Sequence, residues 1–328
     1  MRLPTHLFRS SAHGARRHAG MTLIELIVVI TISGIISSIL VFFIVGSMRS
    51  YEAQVRRAEL VDAAEMALRH IARDVRQALP NSVRIRDASG NVNNVSCQAA
   101  GTTCTIEMLN TVDGARYREG PGQISGGHNH ANPAFRLRIP GTDSDGFNVV
   151  GFFPNITIPF VSATQVPPAR LAIYNQSATG ANSAYADAVL PVGPYVITNP
   201  ANTSFTINSD AAGDEHQITL NSGDFRFRWA SPNQRVFIVD TPVSYVCTAG
   251  PTGNLTRYRS YTITAAQQVT PAGGTSALLS TPVTACNFSY SPGTNQRAGL
   301  VTLDITVGDT ESGEQVRLLY QAHVDNSP

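Results

Sequence analysis

The chain has 328 residues with 24 basic and 23 acidic side chains, and every one of the 24 basic residues is arginine. The formal net charge of +1 gives no electrostatic reason to expect nucleic-acid binding. No G-x-S-x-G, H-E-x-x-H, Walker or strand-linked G-x-G-x-x-G motif is present, so we do not expect an enzyme.

A basic leader precedes a long apolar segment at the start of the chain. The leader has arginines at positions 2, 9, 16 and 17 and no acidic residue, and residues 26–45 carry no charge. A helix of that length spans about 30 Å, the thickness of a bilayer core. The positive charge of the leader favours a cytoplasmic location. Everything after about Gly46 is then predicted to face the periplasm.

The acidic residue at the edge of this segment, Glu25, has two interpretations. It is either a helix-start acid favoured by the helix dipole, or the partner of a positive N-terminal amine on a neighbouring chain. The N-terminal segment resembles the processing motif of the type IV pilin and pseudopilin family. The matching features are the basic leader, Gly20, Met21, Thr-Leu-Ile and Glu25, followed by the apolar helix. In that family Phe is usual where this chain has Met21.

The resemblance implies how the N-terminus is processed. A prepilin peptidase would cleave between Gly20 and Met21 and methylate the new amine of Met21. Glu25 would then be the fifth residue of the mature chain and would guide packing in a filament.

The helical pattern continues beyond the apolar segment. Residues 51–79 contain no Gly or Pro, and apolar residues recur there at helical spacing until Pro80. We expect one helix from about Thr22 to Leu79, about 87 Å long. The predicted organisation is a cleaved leader (1–20), a transmembrane and filament-core helix (21–46), a periplasmic half of the helix (47–79) and a β-rich periplasmic domain (80–328).

Alternation of apolar and polar residues replaces the helical pattern after Pro80. Phe135–Ile139 and Phe225–Trp229 alternate apolar residues with arginine, as half-buried strands do, and we expect their arginines on a solvated sheet face. An acidic or glycan partner for them is the alternative. Residues 86–130 and 176–215 have the composition of long loops. Further strands are predicted at Val236–Val239, Val243–Cys247, Leu255–Tyr261, Cys286–Tyr290, Leu300–Val307 and Gln315–Val324, with a hairpin turn at Gly250–Asn254.

The predicted fold class is therefore α+β. The long N-terminal helix would pack on a mostly antiparallel β domain, as in type IV pilins.

The four cysteines are expected to form disulfides, because an even number in an exported domain without C-x-x-C favours bridges. Three connectivities are possible. We favour Cys97–Cys104 and Cys247–Cys286, because the members of each pair are near in sequence.

No cofactor is expected, although two weak metal candidates stand out. His128 and His130 have no obvious third ligand. Asp143 and Asp145 resemble the start of a Ca²⁺ loop but lack its later bidentate acid, so a surface turn is the favoured interpretation.

Short segments of the C-terminal part narrow the resemblance to minor pilins of the mannose-sensitive haemagglutinin (MSHA) pilus, which are related to J-type minor pseudopilins. These segments are Asn81–Arg84, Val243–Cys247, Leu255–Tyr258, Val283–Tyr290 and His323–Asn326. The resemblance implies a subunit of a pilus-tip complex, anchored by a single span in the inner membrane and later placed at the cell surface. Its partners would be other minor pilins, the major pilin and the inner-membrane assembly platform. The alternatives are a tip adhesin and a minor pseudopilin of a type II secretion system.

Overall fold

The computed structural model describes residues 20–87, 96–99, 103–118, 137, 146–190, 194–221, 225–293, 298–309 and 313–326. The chain divides into two compact units at residue 56, and the β structure belongs to the second unit, residues 57–328. Helix α1 runs from Leu23 to Arg76, and a short helix α2 from Ala184 to Asp187.

All sixteen described strands lie in the second unit. Their bounds are β1 Arg84–Asp87, β2 Ser96–Ala99, β3 Thr103–Arg116, β4 Gly146–Asn148, β5 Phe160–Val161, β6 Arg170–Ala172, β7 Pro194–Tyr195, β8 Ser204–Ser209, β9 His216–Asn221, β10 Arg226–Phe227, β11 Arg235–Thr248, β12 Asn254–Arg259, β13 Thr275–Ser280, β14 Val283–Ser291, β15 Gly299–Gly308 and β16 Gln315–Val324.

Among the described residues, the strands form three sheets and one small pair. Sheet A has the order β1-β3-β11-β12-β13, with β6 also paired to β11. Sheet B has the order β16-β15-β14-β2, and sheet C the order β4-β9-β8-β5. These pairings are antiparallel, whereas the short pair of β7 and β10 is parallel.

The part of α1 in the second unit packs against sheets A and B. Its apolar stripe is buried in one core with residues of both sheets, which confirms the predicted α+β class with a helix packed on antiparallel sheets. The buried members of the stripe are Ala64, Ala67, Leu68, Ile71, Ala72 and Val75.

Helix α1 ends at Arg76, three residues earlier than the sequence predicts. The next residues join the edge of β3: the N–H of Leu79 donates to the Leu109 carbonyl at 2.8 Å, and the Gln77 carbonyl accepts from the N–H of Thr111 at 3.0 Å. Pro80 also disfavours helical geometry at the residue before it.

The expectation of long loops at 86–130 and 176–215 is wrong where the structure describes them. These ranges contain β3, which is 14 residues long, together with α2, β7 and β8. The middle of β3 is buried on both faces, so Thr105 and Glu107 are as buried as their apolar neighbours. A strand covered on both sides does not alternate in polarity, and the sequence pattern therefore missed it.

The arginine-rich segments also differ from expectation. Of Phe225–Trp229 only Arg226 and Phe227 form a strand, and Arg228 is not on a solvated face, because it pairs with buried Asp187 at 3.3 Å. Of Phe135–Ile139 only Leu137 lies among the described residues. It is buried, and its N–H donates to the Arg118 carbonyl at 2.8 Å.

Strands β3 and β11 contribute to three hydrophobic clusters among the described residues. Near Cys104 and Cys247 they line the core beneath α1, and towards Tyr117 and Val236 they line a second core with sheet C. The described residues of the segment 117–234 thus form the second cluster together with Val236 and Ile238 of β11, and some of them form a third cluster with Leu79, Leu109 and Ile263.

Candidate functional site

The site indicated by the sequence lies at the start of α1. Gly20 and Met21 precede the helix, and both are exposed, as a cleavage site must be. The N–H of Glu25 donates to the Thr22 hydroxyl at 3.3 Å, and the N–H of Leu26 to the Thr22 carbonyl at 3.1 Å. Thr22 thus caps the helix, with Glu25 at the capping-box position where the helix dipole favours an acid.

The apolar segment that follows is long and apolar enough to cross a membrane, by length and composition. Its large side chains are exposed in the single chain, with Leu23, Phe42 and Phe43 more than three-quarters exposed. The hydroxyl groups of Thr31 and Ser38 donate to carbonyls of their own helix at 2.7 to 3.0 Å. Such internal pairing suits an apolar environment, and the segment is consistent with a membrane anchor.

A buried carboxylate fixes the other end of α1 to sheet A. Asp74, 4% exposed, accepts from the Tyr245 hydroxyl at 2.6 Å and pairs with Arg257 at 2.7 Å. Burial and the Asp74 charge raise the pKa of Tyr245 above its ordinary value, so the hydroxyl stays protonated and donates. Sequence patterns did not indicate this contact. The sequence feature that could have indicated it is an acidic residue on the buried side of the helix, since Asp74 lies three residues after Ile71.

A second ionic network fixes a loop over the opposite face of sheet A. Arg84 and Glu107 pair at 2.5 Å, each with its side chain 1% exposed, and the Tyr261 hydroxyl donates to Glu107 at 2.7 Å. Arg84 also donates to the Ala265 carbonyl at 2.7 Å and stacks on the ring of Tyr185. Because these groups are enclosed and hydrogen-bonded to each other, the network has a structural role in holding the loop on the sheet.

Both disulfides in the structure join sheet A to sheet B. Cys104 of β3 is bonded to Cys97 of β2, and Cys247 of β11 to Cys286 of β14, with Cα–Cα distances of 5.8 and 6.6 Å. These are the pairs favoured from sequence spacing. The spacing of the cysteines in the sequence did not indicate that both bridges link the same two sheets.

The weak metal candidates His128, His130, Asp143 and Asp145 lie outside the described residues. Among the residues that the structure does describe, no group of three or more His, Cys, Asp or Glu side chains is arranged to hold a metal ion.

Comparison with protein families identifies the N-terminal segment. Residues 15–41 match the family described as the prokaryotic N-terminal methylation motif, and the match includes Gly20, Met21 and Glu25. No curated protein and no solved structure matches the chain.

The motif, the apolar helix and the antiparallel β domain together support a protein of the type IV pilin-like class. Such a motif implies processing by a prepilin peptidase and assembly with other pilins.

Proposed function

We propose that this protein is a minor pilin similar to MshO of the MSHA pilus. Prepilin peptidase cleaves it between Gly20 and Met21 and methylates Met21, and the mature chain joins a tip complex that primes assembly of the major pilin. The observation that carries the proposal is the methylation motif at residues 15–41, which covers the predicted cleavage junction and the beginning of the apolar helix.

Assembly physics explains why such a chain keeps its apolar helix. When the assembly platform lifts the helix out of the inner membrane, packing against neighbouring helices replaces contact with lipid. Glu25 meets the methylated amine of an adjacent subunit there. Either charge alone in an apolar surrounding would cost several kcal/mol, so the pair selects the correct axial register.

One structural observation favours the tip adhesin as a second candidate. Described residues of the segment 117–234 form, with Val236 and Ile238 of β11, a hydrophobic cluster distinct from the one that holds α1. This additional cluster is not needed to attach α1, and it gives surface loops a rigid support for recognition.

Deleting the gene separates the candidates. We expect loss of surface filaments, restored by the wild-type gene and not by a variant that cannot be cleaved before Met21. Normal piliation with lost attachment would instead identify an adhesin. Normal piliation with failed protein export would identify a minor pseudopilin of a type II secretion system.

A further inference from the structure

The four cysteines lie together in the core beneath α1. Their side chains belong to one hydrophobic cluster, and none is more than 4% exposed: Cys97, Cys104, Cys247 and Cys286. Each is bonded to a cysteine of the other sheet. Because both bridges link the same two sheets, each sheet also brings two cysteines near each other, and a bond within one sheet becomes a possible alternative.

Cys104 and Cys247 are direct partners in sheet A. They lie opposite each other in the antiparallel register of β3 and β11. Opposite residues of antiparallel strands point to the same face of the sheet, with about 4.5 to 5.5 Å between their Cα atoms. A disulfide spans Cα–Cα distances of about 4.4 to 6.8 Å. Once it is released from Cys97, the Sγ atom of Cys104 can therefore reach Cys247 without movement of the backbone.

The two cysteines of sheet B are displaced from each other. Cys97 of β2 lies opposite Phe288 of β14, two residues from Cys286. Such diagonal positions are about 7 to 8 Å apart, which exceeds the reach of a disulfide unless the backbone moves. Strand register therefore favours attack on the second bridge by Cys104 over attack by Cys97.

Reduction should begin at the Cys97–Cys104 bridge. Cys97 has the largest exposed fraction of the four cysteines, 4%, whereas Cys104 and Cys247 are fully buried. A reducing dithiol attacks the Sγ atom of Cys97 and releases Cys104 as a thiolate. The second thiol of the reductant then frees Cys97 and closes the reductant to a disulfide. Two electrons from the reductant thus leave two thiols in the protein.

We propose that the Cys104 thiolate then attacks the Sγ atom of Cys247 and opens the second bridge. The bond between Cys247 and Cys286 breaks, a bond between Cys104 and Cys247 forms, and Cys286 leaves as a thiolate that takes up the proton lost by Cys104. This exchange needs no further electrons. The bridge that remains lies within sheet A, so the reduction of one bridge removes both covalent links between the sheets.

The exchange acts on the core that holds α1. Apolar residues of α1, sheet A and sheet B meet in the same cluster as the four cysteines. The cysteines thus form a redox switch: the oxidised pairs lock the two sheets together beneath α1, and partial reduction leaves the sheets held by packing alone. The switch depends on strand register and cysteine pairing, and not on the function proposed above.

The variant Cys97→Ser tests the exchange directly, because it leaves Cys104 as a thiol beside Cys247. The full-length chain is purified in detergent, and free thiols are alkylated in denaturant at low pH, where little thiolate is present to exchange. Trypsin without reduction should then give peptide 87–116 joined to 236–257, with the alkyl group on Cys286 in peptide 260–297.

The matched control is Cys104→Ser, which leaves Cys97 as the thiol. In this variant we expect peptide 236–257 to stay joined to 260–297, with the alkyl group on Cys97. An unchanged Cys247–Cys286 bridge in the Cys97 variant would overturn the proposal. The same exchange in both variants would also overturn it, because strand register would then not decide which thiol attacks.

A rate measurement separates exchange from a loss of stability. The double variant Cys97→Ser, Cys104→Ser lacks the attacking thiol, so its Cys247–Cys286 bridge should be reduced at least about tenfold more slowly than in the wild type, since a thiol in contact acts at a high effective concentration. Destabilisation by the missing bridge predicts faster reduction instead. Alkylation of Cys286 at successive times under limiting dithiol measures the rate, and equal or faster reduction in the double variant would reject the exchange.

Discussion

Asp74 and Arg257 join helix α1 to strand β12 across 183 residues of sequence, with 2.7 Å between the carboxylate Oδ2 and guanidinium Nη2 atoms. The same Oδ2 accepts from the Tyr245 hydroxyl, so one carboxylate holds the helix to two neighbouring strands. If an assembly platform pulls the chain by its N-terminal helix, this contact helps to transmit the force from the helix to the β domain.

Removing that carboxylate should destabilise the β domain. Asp74→Ala leaves the fully buried Tyr245 and the largely buried Arg257 without the carboxylate that they share, and breaking such a pair from one side costs about 3 kcal/mol. Urea unfolding of the full chain in detergent, followed by circular dichroism, measures the loss. Asp304→Ala is the control, because its partner Arg317 is 69% exposed and solvent replaces the lost contact. Equal losses in the two variants would contradict the assigned role of Asp74.

The disulfide pairing can be read from tryptic peptides without reduction. Cleavage after arginine places Cys97 and Cys104 together in peptide 87–116, Cys247 in 236–257 and Cys286 in 260–297. We expect peptide 87–116 to carry an internal bridge and the other two to be joined to each other. Mass spectrometry that finds 87–116 linked to either of them would refute the pairing.

A fall in pH should lower the free energy of unfolding through His216. This side chain is 5% exposed, and its Nδ1 accepts the N–H of Phe153 at 3.1 Å, which requires a neutral ring. Burial lowers the pKa of His216, and the nearby Asp113 only partly opposes the shift. Since the unfolded chain takes up the proton more readily, stability should fall as the pH drops below about 6.5.

Two histidine variants test this pH dependence. His216→Asn keeps an acceptor but does not titrate, so its unfolding free energy should vary less between about pH 7.5 and 5.5. His323→Asn removes an exposed histidine and should behave like the wild type. If the slope is the same in all three proteins, His216 is not responsible for it.

Glu25 should matter for assembly and not for cleavage. In the variant Glu25→Gln, the methylated amine of a neighbouring subunit loses its charged partner in the apolar filament core, so incorporation into filaments should fall sharply. Glu52→Gln removes an exposed acid of the same helix and serves as the control. Immunoblots of sheared filaments and of membranes measure incorporation and cleavage. Undiminished incorporation of the Glu25 variant would argue against the pairing.

Local patterns predicted α1 and the N-terminal motif well, because each depends on residues close in sequence. The spacing between Gly20 and Glu25 and the uncharged segment after Glu25 can be recognised without knowing any contact with a distant part of the chain. The hairpin of β11 and β12 was also predicted, since the turn at Gly250–Asn254 lies between two alternating strands and Thr248 pairs with Asn254.

Contacts between distant segments could not be read from such patterns. Strand β3 was missed because α1 covers one of its faces and the loop with Tyr261 and Gln267 covers the other. Glu107 on that strand is charged and fully buried, and its burial is compensated by Arg84 and Tyr261, which lie on other segments of the chain. The attachment of Asp74 depends on a partner 183 residues away.

The most direct measurement is the mass of the N-terminal tryptic peptide of the protein isolated from membranes or filaments. With no lysine in the chain, the α-amine is the only amine of the mature polypeptide, and trypsin releases residues 21–49 from its start. We predict a peptide that begins with N-methylated Met21 and ends at Arg49. A peptide of residues 18–49, an unmodified Met21, or a mature chain that begins after residue 45 would contradict the account.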